Sequence, residues 1–115
     1  MVNPSRGEIY WINLDPAIGT EIKKRRPCLI VSNNQSNQYY GQITVIPLTS
    51  KKVRQAEPFQ LFLPAKETGL DKDSKALSEQ IRTVSKMRLA TYVGRVSDER
   101  MKMVDSAIKI HLDLT

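Results

Sequence analysis

Apolar residues in this chain come in short runs separated by polar stretches. Residues 8–14 alternate, with Ile9 and Trp11 toward one side and Tyr10, Ile12 and Leu14 toward the other. That pattern predicts a strand partly covered on both faces, ended by the turn chemistry of Asp15-Pro16. Residues 28–32 are compact, apolar and β-branched, as a buried second strand requires. Residues 43–49 predict a third strand, in which Pro47 implies an edge or a bulge. Residues 59–63 predict a fourth and residues 76–84 a fifth, with Leu77, Glu79, Ile81 and Thr83 alternating against Ser78, Gln80, Arg82 and Val84. Residues 92–96 predict the last strand, with Gly94 a candidate bulge. Residues 33–41 read as a polar, aromatic loop or one helical turn, 64–74 as a long polar connection, and 85–89 as a helical turn. The period then changes. Ser97 suits an N-cap, with Asp98 and Glu99 in the first turn. Met101, Val104, Ile108 and His111 or Leu112 follow at helical spacing.

Many short strands and one terminal helix predict a mainly β domain: a strongly bent antiparallel sheet or partly open barrel, closed by that helix. At 115 residues the chain supports one domain, 1–115, with a single core. It has no internal repeat, no leader pattern and no apolar stretch near about 18 residues, which predicts a soluble, cytoplasmic protein. The formal charge of +6 favours an anionic partner, nucleic acid first. Cys28, the one cysteine, sits in an apolar run and reads as a small core residue. His111, the one histidine, excludes a two-histidine ribonuclease site within one chain and reads as a packed or half-exposed helix residue. No metal-ligand spacing occurs, and Asp71 and Asp73 read as a solvated turn. No cofactor is implied.

Charge is concentrated where it adjoins the second strand. Gly19-Thr20-Glu21-Ile22-Lys23-Lys24-Arg25-Arg26-Pro27 runs directly into Cys28-Leu29-Ile30-Val31. Pro27 suits the first position of that strand and holds Arg26 extended. A guanidinium fixed at the mouth of a buried strand is a ready phosphate ligand; the plainer reading is a solvated basic loop. A second basic cluster, Lys51, Lys52 and Arg54, follows the third strand. Tyr39 and Tyr40 are candidates for stacking on a base or for covering the end of the sheet.

A polar set lies at strand ends: Glu21, Arg26, Thr49, Ser50, Gln80 and Arg82. Attack by a ribose 2′-hydroxyl on its own phosphodiester builds charge on the phosphoryl oxygens. A fixed guanidinium and a hydroxyl can stabilise that charge, and a carboxylate can assist removal of the 2′ proton. On residue types alone a binding surface ranks ahead of catalysis.

Taken in order, several segments resemble the MazF/PemK family of toxin endoribonucleases from toxin–antitoxin modules. They are Arg6-Gly7-Glu8-Ile9-Tyr10, Leu14-Asp15-Pro16, Gly19-Thr20-Glu21, Arg26-Pro27, Pro47-Leu48-Thr49-Ser50, Gly69 to Ser74, Glu79 to Thr83 and Lys86-Met87-Arg88-Leu89. The resemblance implies a small SH3-like barrel of the CcdB/PemK type, a homodimer, and metal-independent cleavage of single-stranded RNA at a short motif. It makes Arg26 and Thr49 the catalytic pair and carries Glu21, Glu79 and Gln80 as site candidates. A guanidinium holds its proton too tightly to be an ordinary base, which leaves that role open between Glu21 and a shifted Arg26. Lys23, Lys24, Arg25, Ser50, Lys51, Lys52, Arg54 and Arg82 complete the expected substrate surface. An acidic segment of a cognate antitoxin is the expected protein partner. The loop departs from the family in carrying Ile22-Lys23-Lys24-Arg25 where many members have glutamine and glycines, so it should be stiffer and more basic. Two other classes stay open: a gyrase poison of the CcdB type, against which the absence of a tryptophan near the C-terminus counts, and a non-catalytic RNA-binding barrel.

Overall fold

A computed structural model describes residues 3–22 and 24–114. Alternation along β1 (Glu8–Asn13) sends Ile9 into one apolar cluster and Ile12 into another, so both faces are covered as expected. β1 pairs antiparallel with β2 (Arg25–Ile30), from Ile9 opposite Leu29 to Asn13 opposite Arg25. The second strand therefore starts three residues earlier than its apolar run: the two arginines lie in the ladder, and Pro27 is inside it, opposite Trp11. A short helix, α1 (Asn34–Tyr39), capped by the Asn33 side chain, fills the polar segment that follows.

β3 (Gln42–Thr49) is the central strand. One edge pairs with β2, with Cys28 opposite Pro47 and Ile30 opposite Val45. Its other edge is shared by β5 (Ser74–Leu77), opposite Leu48 and Thr49, and β6 (Arg82–Ser85), opposite residues 42–45. The single strand expected over 76–84 is thus one track along β3, interrupted by a 3-10 turn at Ser78–Gln80. Ala76 faces Leu48 and Arg82 faces Val45, so the track takes twice as many steps as the strand it follows, and the excess is taken up in that turn. Pro47 falls in this gap, where a central strand can lack a donor. It is neither at an edge nor in a bulge.

β4 (Gln60–Leu63) pairs with β5, and β7 (Leu89–Arg95) pairs with β1, giving the order β4-β5-β3-β2-β1-β7 with β6 also on β3. Register shifts opposite Ile9 to Ile12 put extra residues into β7 and bend it. β4 and β7 do not pair with each other, so the barrel stays open. The opening is covered by α2 (Ala65–Thr68), packed on β7, and α3 (Asp98–His111), packed on β4. A β-carbon on Gly94 would lie 1.9 Å from the Thr68 carbonyl oxygen, so this approach requires glycine. Ser97 caps α3 through a hydrogen bond from the Arg100 N–H. Met101, Val104 and Ala107 are buried, while His111 is exposed, with its ring 5.7 Å from Phe59. Arg100 donates to both carboxylate oxygens of Glu67, at 3.2 and 3.0 Å, joining the two helices. No helix among the described residues is long and apolar enough to cross a membrane.

The two faces of the sheet differ at one end. Ile9, Leu29, Ile46 and Leu48 pack under α3 with Val96, Met101 and Val104. The other face carries Ile12, Cys28, Ile30, Ile43, Val45 and Val84, and where β2 begins and β3 ends this apolar surface gives way to charge.

Candidate functional site

Strand alternation decides which charged residues meet. Arg26 lies opposite Ile12, on the face that holds Cys28. Continuing the β2–β3 register two residues past the Cys28–Pro47 pair sets Arg26 across from Thr49. Arg82, opposite Val45, shares this face, and its guanidinium donates to the Leu14 carbonyl at 3.2 Å. Cys28 senses the gathering: burial pushes its thiol up to about 12, opposed by the positive fields of Arg82 and then Arg26. At that value the thiol is an inert core group rather than a nucleophile.

Thr49 is almost buried, at 9% exposure. Its hydroxyl oxygen accepts from the Lys51 N–H at 3.2 Å, and its proton has no acceptor among the described residues. Gln80 and Glu79 are projected by the 3-10 turn between β5 and β6. The Gln80 side chain accepts from the Ile22 N–H at 3.2 Å, tying the loop before β2 to this end. Glu79 accepts from the Gln60 amide at 2.7 Å through one oxygen, while its other oxygen is buried without a hydrogen-bond partner. The sheet thus brings Arg26, Thr49, Gln80 and Arg82 to one end.

The remaining expected residues lie apart from this set. Arg25 and Ser50 emerge on the opposite face by alternation; with Trp11, Arg26, Leu48 and Asp71 they line a groove of about 290 Å³. Glu21 is exposed, and its carboxylate accepts from the Ile18 N–H at 2.6 Å, turned back on its own loop. Lys24 is exposed with a φ of 70°, its N–H held by Asp15 at 2.9 Å. Lys51, Lys52 and Arg54 follow Thr49 on a turn closed by a hydrogen bond from the Gln55 N–H to the Lys52 carbonyl at 3.0 Å, and Lys51 and Arg54 are exposed. Lys23 lies outside the described residues. Tyr39 and Tyr40 are exposed at the end of α1.

Residue patterns miss two contributors. Trp11 lines the groove, although alternation alone assigns it to cover the sheet. Lys75, opposite Thr49, is buried; the apolar pattern starts the fifth strand at Ala76 and so leaves it out. A signal for it exists: a lysine between Ser74 and Ala76, on the same parity as Leu77, points inward if the strand begins one residue sooner.

The description of PemK-like, MazF-like toxins of type II toxin–antitoxin systems fits residues 5–112. The chain belongs to this family. This MazF-like chain is 45% identical over 114 residues to the endoribonuclease MazF9 of Mycobacterium tuberculosis, covering 95% of this chain and 96% of that protein. Its structure resembles the crystal structure of MazF from Deinococcus radiodurans, with a TM-score of 0.84 at 25% identity over 98% of this chain and 99% of that one. It also resembles a mycobacterial endoribonuclease solved in complex with its cognate antitoxin, with a TM-score of 0.78 at 25% identity over 100% and 98% of the two chains.

Proposed function

We propose that this MazF-like toxin is an endoribonuclease that cleaves single-stranded RNA at a short motif by internal transesterification, without a metal. The ribose 2′ oxygen bonds to the adjacent phosphorus, and the bond to the departing 5′ oxygen breaks. A 2′,3′-cyclic phosphate and a 5′-hydroxyl remain. What supports the reading is the β2–β3 register, which, continued two residues past the Cys28–Pro47 pair, sets Arg26 across from Thr49 on a face where Arg82 adds to the positive field. A planar guanidinium suits the spread charge of the phosphorane. The Thr49 hydroxyl, already accepting from Lys51, has its own proton to give to a phosphoryl oxygen. The 2′ proton leaves to a base, for which Glu21, its carboxylate held on the Ile18 N–H, and Arg26 are the two candidates, and a proton from solvent completes the departing 5′-hydroxyl. Lys23, Lys24, Lys51, Lys52 and Arg54 attract the backbone, and an acidic segment of a cognate antitoxin competes for the same surface. The toxin acts as a cytoplasmic homodimer.

Purified protein incubated with a long RNA in excess EDTA tests the reaction. The expected result is cleavage with cyclic phosphate upstream and 5′-hydroxyl downstream of each cut. One deoxyribose placed 5′ to a mapped cut should abolish cutting there and leave binding largely intact. Intact all-ribose RNA would overturn the enzyme reading in favour of a non-catalytic binder or a gyrase poison. Continued cutting of the deoxy-substituted strand would mean that water is the nucleophile.

A further inference from the structure

Thr49 is flanked on both sides. On one side the β2–β3 register, continued past Cys28–Pro47, sets Arg26 across from it, and on the other side Lys75 of β5 is its direct cross-strand partner. Side chains paired across an antiparallel ladder lie on one face, so Lys75 belongs to the face that carries Arg26, Arg82 and Cys28. Lys75 is only 7% exposed. A buried ammonium is costly unless it is paired. Its only hydrogen bond among the described residues is a long one, from Nζ to the Gln55 carbonyl at 3.4 Å. The ion pairs among the described residues are Arg6 with Asp105 and Arg100 with Glu67, and neither includes it. A candidate counter-ion is Glu79, tethered to the same face by Gln60 opposite Leu77; it makes no ion pair with Lys75, and one of its oxygens is itself buried without a partner. The protein therefore sets three cationic residues on the face that carries the Thr49 hydroxyl, and one of them, Lys75, is buried directly across from it.

We infer that Lys75 is an anion-binding residue of this site, whose ammonium takes a non-bridging oxygen of the RNA phosphate that Thr49 holds. The inference rests on the reading of Arg26 and Thr49 as the reaction site. Lys75 moves no proton: it supplies fixed charge from the side of Thr49 opposite Arg26, where the charge of the phosphorane grows. Its hydrogen bond to Gln55 places it under the loop that leaves Thr49, so the purely structural alternative is a pin for that loop.

Lys75→Met separates the two. Removal of a buried, unpaired charge predicts a Tm equal to or above that of the unaltered protein, whereas removal of a pin lowers it. Inorganic phosphate, compared with chloride at equal ionic strength, should raise the Tm of the unaltered protein and leave that of Lys75→Met unmoved. With a deoxy-substituted, uncleavable RNA, Lys75→Met should bind with a salt slope reduced by about 0.7, the share of one neutralised phosphate on a single strand. Its cleavage of all-ribose RNA should fall about 100-fold in kcat, the usual scale for loss of one charge-stabilising donor, with part of the rate restored in Lys75→Arg. A lowered Tm with an unchanged salt slope would overturn the inference and make Lys75 a pin. Unaltered cleavage by Lys75→Met would overturn it as well. If Lys75→Met does not fold, Lys75→Gln, which keeps a donor without charge, carries the same readouts. The phosphate experiment involves no cleavage, so it reads the anion site even if the unaltered protein leaves RNA intact.

Discussion

Arg25 and Arg26 carry identical side chains on adjacent residues, and strand alternation sends them to opposite faces of the sheet. Arg26 shares the face of Cys28 and, by the continued register, lies across from Thr49; Arg25 shares the face of Pro27 and Trp11, and both arginines border the groove. Charge alone does not distinguish them, but geometry does. Arg26→Lys keeps the charge and loses the planar fork, so cleavage should fall about 100-fold or more. Arg25→Lys should stay within a few-fold, because its contribution is attraction. Single-turnover cleavage of one RNA by both variants measures the contrast, and equal rates would remove Arg26 from its special position. The two arginines also show why the start of β2 is hidden in the sequence. Apolar patterning begins at Cys28, while the backbone of Arg25 and Arg26 has already joined β1 through hydrogen bonds that side-chain character does not reveal.

At the scale of elements, packing decides what pattern leaves open. The strand over 43–49 and the terminal helix are legible in the sequence, because each has a clear period and a clear stop. The strand over 76–84 is legible only as a direction. Its alternation persists through Ser78 to Ile81, yet only Ile46 and Pro47 of β3 stand opposite the five residues between Ala76 and Arg82, so the chain coils into a turn and projects Glu79 and Gln80. Lys75 escapes for a related reason, since a polar residue at a strand start looks like loop until its neighbour across the ladder is known. The helices α2 and α3 meet the open edges of the sheet closely enough to be tested. Gly94→Ala would drive a β-carbon into the Thr68 carbonyl, and the displacement of α2 should cost about 1–3 kcal/mol. Urea denaturation followed by tryptophan emission would measure it, and an unchanged midpoint would mean that α2 shifts freely on β7.

At the scale of the whole molecule, the net charge of +6 is a field before it is a set of contacts. Lys51 and Lys52 are exposed on the turn just beyond Thr49, where the proposed reading brings an RNA strand. Neutralising both to glutamine should weaken RNA binding for every sequence and flatten its salt dependence by about 0.7 for each phosphate that goes without its lysine. Titrations of an uncleavable RNA at several salt concentrations would show this; an unchanged slope would mean that the turn never approaches the backbone.

The order of strands in the sheet is not their order in the chain, and that has a bearing on how such a toxin is made. Arg26 and Thr49 come from the first half of the sequence, but the strand that supplies Arg82 and the one that covers β1 come from the second, with Glu8 paired to Arg95. During synthesis the early strands leave the ribosome with the edge of β1 bare and one side of β3 unfilled. On the proposed reading, the site that joins Arg26 and Thr49 to Arg82 is complete only when nearly the whole chain has emerged, so a prematurely terminated product would lack part of it.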